Sequence, residues 1–248
     1  MKYRAKAFTL IELMVSVTIV TLLIGLLLSA VGAAQRNGQR ATCLSNLHQA
    51  GLATSMYLAE YKGQFWRYFS TIPDGRLWWF GYEPNGPGHG TGRSLDTNRG
   101  VLSAYLQAAG GELQCPTFPY DDPQFYAKFD RRAASYGYNL KLGSASQSRD
   151  PRHLDHFMGR AHRVVVFADA IHFDHNPGFN EGHYITINPN VRVRSGYAHF
   201  RHDLMAHVLM VDGHVESQTH QGQYHREIAG GLAANLRSPD GSDAIYGN

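Results

Sequence analysis

The sequence predicts an α+β protein in which one long N-terminal helix precedes a domain of short strands and long loops. Three observations lead there. Residues 7–34 form a single apolar run, preceded by Lys2, Arg4 and Lys6 and interrupted near its start by Glu12. Leu44, Leu47, Leu52, Met56 and Leu58 then keep helical spacing through residues 35–62. Near the C-terminus, Asp212-Gly213 separates the strand-like runs 206–211 and 214–217, the strongest short-range hairpin signal.

The apolar run is long enough to matter. From Leu13 to Ala34 there is no charge, which gives about 33 Å of helix at about 1.5 Å per residue and spans a hydrocarbon core. A secretory signal peptide has a shorter core and a small-residue cleavage site, for which Ala33-Ala34 is a stand-in. A plain anchor is the third reading. Neither alternative accounts for Glu12, since a carboxylate at bilayer depth costs roughly 2.5–3.5 kcal/mol on insertion scales. The helix is expected to run from Phe8 to Lys62. Lys62-Gly63 supplies a cation in the last turn and a glycine beyond it.

After the helix, residues 63–100 are turn-rich and aromatic (Phe65-Trp66, Leu77-Trp78-Trp79-Phe80, Tyr82). Such rings either stack on sugars or a partner, or cap a small sheet. Residues 101–109 read as a short helix ended by Gly110-Gly111, and Leu113–Pro116 as a short strand or turn. Ser135–Asn139 reads as an aromatic strand with a close-approach glycine. Val164–Phe167 reads as a buried strand closed by Ala168-Asp169, and 172–183 as a loop. Two strands follow at 184–187 and 191–193. A type I′ turn is expected at Asp212-Gly213, and the tail from Arg226 is expected to hold at most one short helix. The resulting segments are 1–7, 8–34, 35–62, 63–225 and 226–248.

Charge and cysteine content narrow the function. The formal net charge is +3, but without Lys2, Arg4 and Lys6 there are 20 Lys and Arg against 20 Asp and Glu. The basicity therefore belongs to the leader, and no nucleic-acid surface is expected. The leader cations favour a cytoplasmic N-terminus, against a weaker pull from Arg36 and Arg40. Cys43 and Cys115 are the two cysteines. They are a candidate disulfide in an oxidising compartment, with two separate buried thiols as the alternative. Loop 172–183 holds His172, Asp174, His175, Asn180, Glu181 and His183. Zinc would need three or four of these to converge, and their spacing fits no full calcium template. A solvated polar loop is expected, with no metal and no cofactor. His202, Asp169 and Asp212 invite an acid–base reading, but no nucleophile motif accompanies them. The chain is read as not an enzyme, with Asp212 in a turn and His202 hydrogen-bonded to that turn or a neighbouring strand.

Ala7-Phe8-Thr9-Leu10-Ile11-Glu12-Leu13, after a short basic leader, resembles the processing motif of type IV prepilins and type II secretion pseudopilins. The resemblance implies cleavage between Ala7 and Phe8 by a prepilin peptidase and N-methylation of Phe8. It makes Glu12 the helix carboxylate that meets the Phe8 amine of an adjacent subunit. The residue before the cut is Ala7 where the family usually has glycine. Small residues Gly25, Ser29 and Gly32 would permit close helix approach. A second resemblance covers more of the chain. His202, nine residues and Asp212-Gly213 fit the H-X9-DG signature of a group of prepilin-like bacterial proteins. Cys43–Ala53, Gly63, Cys115-Pro116, Ser135–Asn139, Ala168-Asp169 and Arg201-His202 fall in the same order as in that group. Together they imply a pilin-like fold, with a transmembrane helix packed on an antiparallel sheet. The implied role is a filament or pseudopilus subunit in the inner membrane, with its C-terminal domain in the periplasm. The alternative is a pilin-anchored module that binds polysaccharide or a protein through the 65–82 aromatics.

Overall fold

The computed structural model describes residues 8–84, 90–143, 150–173, 178–185, 196–219, 226–228 and 231–234. It divides into two compact units, one ending at Ala41 and the other beginning at Thr42. Helix α1 runs Leu10–Glu60. In the first unit its large apolar side chains, from Leu10 to Val31, are exposed. The hydroxyls of Ser16, Thr18 and Thr21 donate to carbonyls of Glu12, Met14 and Thr18. Those polar groups are thus satisfied within the helix, as a hydrocarbon environment requires. The helix is long and apolar enough to cross a membrane.

In the second unit, α1 buries Cys43, Leu47, Ala50, Ala53 and Tyr57 and exposes Ser45, His48, Leu52 and Met56. That is the two-sided pattern of a helix lying on a core. It ends where expected. Lys62 and Gly63 adopt φ of 52° and 85°, and the Gly63 N–H donates to the Leu58 carbonyl.

Strands β1 (Phe69–Ile72), β2 (Gly75–Trp78) and β3 (Gly81–Pro84) form an antiparallel meander. Helix α2 (Ser103–Ala109) stops at Gly110, whose φ is 67°. Then follow β4 (Tyr136–Asn139), α3 (Leu140–Gly143), β5 (Val165–Phe173), β6 (Phe179–Glu181) and β7 (Tyr184–Ile185). The last five strands are β8 (Gly196–Phe200), β9 (Met205–Met210), β10 (Val215–Thr219), β11 (Arg226–Ile228) and β12 (Gly231–Ala234).

Strand β5 organises the larger sheet, whose main path is β10-β9-β5-β8-β12-β11. Its first half, Val165 to Asp169, pairs with β9 and β4. Its second half, Ala170 to Phe173, pairs with β8 and β6. The sheet thus changes partners between Asp169 and Ala170.

Four expectations change. The sheet is mixed, because β4 and β7 run parallel. The strand expected to close at Asp169 continues to Phe173, and part of the expected 172–183 loop is β6. Residues 226–234, expected to fray, contain β11 and β12, and β12 pairs with β8. The Asp212-Gly213 turn is not type I′: only Gly213 has positive φ, at 91°, and residues 211–214 connect β9 to β10. The pattern with positive φ at two successive residues is instead at Asp203 and Leu204, at 53° and 61°. There His202 and Met205 exchange both backbone hydrogen bonds. The strand expected at 191–193 lies outside the described residues.

The aromatic residues after α1 are core. Trp66, Trp79, Phe65 and Phe80 are buried. Trp66 stacks on Tyr138 at 4.8 Å, and Trp79 lies 4.8 Å from Phe167. Each such burial contributes roughly 1.5–3 kcal/mol. These rings present no open stacking face for a ligand.

Candidate functional site

Two sets of residues carry chemistry, one at the start of α1 and one buried in the second unit. At the start of α1, the Glu12 carboxylate accepts from the Thr9 N–H at 2.8 Å and the Thr9 hydroxyl at 2.7 Å. The Glu12 N–H lies 3.3 Å from the Thr9 hydroxyl oxygen. This is a capping box: Thr9 ends the helix, and the residue three positions on reaches back to it. Sequence reading singled out Glu12 for its charge and missed Thr9, although the Thr-x-x-Glu spacing was there to be read. Glu12 therefore has local partners in the single chain. Phe8 is exposed, and Ala7 lies outside the described residues.

The buried set centres on Asp169, at the point where β5 changes partners. Two strands diverge there, and backbone groups would be left unpaired. Asp169 and Arg201 fill the gap. Asp169 accepts from Arg201 Nη2 at 2.5 Å, from the His207 N–H at 2.8 Å and from His202 Nε2 at 3.2 Å. Arg201 also donates to the Ser135 and Ala170 carbonyls. All four residues are buried. Burial alone pushes the Asp169 carboxyl up, but the Arg201 guanidinium and the His202 hydrogen bond outweigh it and hold the group ionised, well below the usual carboxylate range.

His202 also reaches the cysteines. Cys43 and Cys115 form a disulfide, with Cα atoms 5.1 Å apart. His202 Nε2 lies 3.5 Å from Cys115 Sγ, and its ring stacks on His207 at 4.0 Å. Asp212 and Gly213 lie at the other end of β9 from His202, where Asp212 pairs with His214 at 2.6 Å. His202 thus bonds to a neighbouring strand and not to the Asp212 turn. His207 Nδ1 in turn lies 2.8 Å from the hydroxyl of the half-buried Ser217.

The 172–183 set is only partly described. His172 is in β5 and Glu181 in β6, while Asp174 and His175 lie outside the described residues. Glu181 is buried and accepts from the Ala133 N–H at 3.0 Å and the Tyr120 hydroxyl at 2.9 Å. Burial pushes its carboxyl up to about 7, against the smaller lowering by those hydrogen bonds and by Arg132 and Lys128. Burial pushes His183 well below its usual range, and its Nδ1 lies 3.2 Å from the Ala134 carbonyl.

An N-terminal helix long and apolar enough to cross a membrane, joined to an α+β unit, is consistent with a membrane-anchored class of protein. A family model for the prokaryotic N-terminal methylation motif matches residues 2–28, which covers Phe8, Thr9 and Glu12. That motif implies processing by prepilin peptidase and assembly with pilin subunits, and it supports a type IV pilin-like or pseudopilin-like protein. No curated protein matches the chain, and no solved structure does.

Proposed function

We propose that this chain is a structural subunit of a type IV pilus-like or type II secretion pseudopilus-like assembly. The methylation motif over residues 2–28 is the observation that carries the reading. A prepilin peptidase cuts between Ala7 and Phe8 and methylates the new Phe8 amine. Before assembly residues 8–34 of the helix sit in the inner membrane, with the N-terminus cytoplasmic and the chain from residue 35 onward in the periplasm. The disulfide supports that side for the domain, since such bonds persist in oxidising compartments.

Polymerisation moves the exposed apolar side chains of residues 8–31 from lipid to neighbouring helices. Glu12 then exchanges its Thr9 partners for the Phe8 amine of an adjacent subunit. A buried carboxylate with a paired ammonium loses far less than an isolated one, so the pair sets register. The alternative, a tethered binding module, has less support, because Phe65, Trp66, Trp78, Trp79, Phe80 and Tyr82 are buried.

N-terminal mass spectrometry of the native protein tests the processing step. The expected species begins with N-methyl-Phe8. An intact Met1 would make the helix a plain anchor, and a start near Gln35 would make it a signal peptide. Glu12→Ala is expected to insert normally and to assemble poorly. Wild-type filament or secretion levels in that variant would remove the docking role.

A further inference from the structure

A cavity of about 270 Å³ opens on the second unit between α2 and the segments 111–114 and 131–133. Leu106 and Leu113 give it apolar surface, and Asn98, Gln107, Glu112, Gln114, Arg131 and Arg132 give it polar surface. We propose that this cavity binds one uronate unit of an acidic polysaccharide, a sugar ring carrying a single carboxylate and several hydroxyls. The volume lies just below the range of about 300–1,000 Å³ for drug-sized ligands, which suits one ring.

The walls are held in place without a ligand. The Ser103 hydroxyl donates to the Thr97 carbonyl at 2.6 Å and accepts from the Gly100 N–H at 2.7 Å, which fixes the turn before α2. Gln114 Nε2 donates to the Arg132 carbonyl at 3.2 Å, and the Ser135 N–H donates to the Leu113 carbonyl at 2.9 Å. Those bonds join 111–114 to the chain that enters β4. A cleft formed in advance costs little ordering when it is filled.

The same bonds set the amides. Gln107 Nε2 donates to Asn98 Oδ1 at 3.1 Å, so Asn98 keeps its N–H donors and Gln107 its side-chain carbonyl. Gln114 likewise keeps its side-chain carbonyl. A hydroxyl both donates and accepts, and a lining that mixes the two suits several hydroxyls on one ring.

The arginines place the carboxylate. The Arg132 guanidinium lies 4.0 Å over the Tyr120 ring, and Tyr120 is itself held by its hydroxyl bond to Glu181. Stacking uses the face of a guanidinium and leaves its N–H edges, which match a carboxylate in pairs. Arg131 bonds to Asp130 through Nε at 3.3 Å and adds a second positive charge. Glu112 is exposed and pairs with no cation among the described residues. It accepts from hydroxyls and repels a second negative charge, so a singly charged sugar is preferred to a phosphorylated one. A peptide carboxy-terminus, the other ligand with one carboxylate, brings few donors and acceptors to a lining built of three amides.

The test uses the full chain in detergent micelles, digalacturonate as the probe and ligand-observed saturation-transfer NMR. Saturation is expected to reach the digalacturonate ring protons, and not those of neutral digalactose. Arg132→Gln should weaken binding roughly tenfold or more, since a hydrogen bond to a charged group is lost. Arg132→Lys keeps the charge without the fork and should fall between. Among the described residues Arg131 bonds only to Asp130, so Arg131→Gln, also expected to weaken binding, carries the test if Arg132→Gln melts early. Glu112→Gln should keep digalacturonate and admit galactose 6-phosphate, which the wild type excludes. The site is overturned by absent transfer to digalacturonate, by equal transfer to digalactose, or by arginine variants that bind as the wild type does. Tighter binding of N-acetyl-Ala-Ala than of digalacturonate overturns it in favour of a peptide terminus. None of these outcomes bears on N-methyl-Phe8, so binding and assembly fail separately.

Discussion

Asp169 and Glu181 are both buried carboxylates, and their partners send them opposite ways. Asp169 has a guanidinium at 2.5 Å. Glu181 has a backbone N–H and a phenol, and burial raises it to about 7. A raised carboxyl is bound to its proton more tightly in the folded state than in the unfolded state. Its contribution is therefore complete below the ordinary glutamate range and is lost as pH rises toward 7. The shift corresponds to a loss on the order of 3 kcal/mol. Glu181→Gln retains an acceptor for Ala133 and Tyr120 but cannot ionise. Its stability is expected to fall less than the wild type's between pH 5 and pH 8, so that the variant is the more stable protein at pH 8. Urea titrations at the two values measure this, and parallel pH dependence would mean that Glu181 keeps an ordinary carboxyl. Thr9 is the other residue whose weight lies in a hydrogen bond. Thr9→Val removes the capping hydroxyl at a cost of about 1 kcal/mol to the first turn of α1. Amide exchange at residues 10–13 in micelles should rise in that variant and stay unchanged beyond residue 20.

Strand β9 gives the His202–Asp212-Gly213 spacing its meaning: the two turn residues Asp203 and Leu204, a six-residue strand, then Val211 opening the next turn. The sequence pattern was legible as a hairpin, but the type I′ turn was expected at Asp212-Gly213, where only Gly213 has positive φ. Asp-Gly favours type I′, yet the four-residue connection 211–214 needs positive φ only at Gly213. The tight turn instead falls on Asp203-Leu204, where a leucine sits at φ 61°. Left-handed backbone costs a side-chain-bearing residue roughly 1–2 kcal/mol, less for asparagine. Leu204 is exposed, so little packing is lost on replacing it. Leu204→Asn should therefore stabilise the second unit by about 1 kcal/mol in chemical denaturation, and Leu204→Val should destabilise it. Equal stability of the three proteins would show that the turn holds no strain. Elements with a local signature were readable in the same way: α1 from its apolar run and Lys62-Gly63 stop, α2 from Gly110, β4 from its aromatic residues. The extension of β5 was not, because Asp169 and His172 look like loop residues until Arg201 and His202 are known to face Asp169. The Asp169 cluster depends on register between β5, β8 and β9, and a single sequence carries no record of which strands pair. Strand β12 hides for a simpler reason: Gly231-Leu-Ala-Ala234 has little side chain to mark it, and pairing with β8 supplies what its own composition lacks.

At the scale of the whole molecule, the disulfide stands where the chain enters its second unit. Cys43 is the second residue of that unit, and its bond to Cys115 spans a sequence separation of 72. Closing a loop of that length removes about 4 kcal/mol of unfolded-state entropy in the chain-entropy model. The bond also pins the first turn of α1 in this unit to the polypeptide leading into β4. Without it, the helix from Thr42 to about Ala50 is held by Leu47, by the Asn46–Gln114 bond and by the Tyr136–Cys43 bond, while Tyr57 and Leu58 remain in the aromatic core beside Trp66. Local unfolding should therefore begin at the Thr42 end. The Cys43→Ala/Cys115→Ala double variant is expected to lose about 2–4 kcal/mol in denaturant melts of the full chain. In native-state hydrogen exchange, residues 43–50 should lose more protection than residues 53–60. A uniform loss across 43–60 would mean that this part of α1 opens as one piece, with the disulfide acting on the unfolded chain alone. A loss confined to 43–50 would mean that the bond secures the first turns of α1 in this unit in the folded state as well.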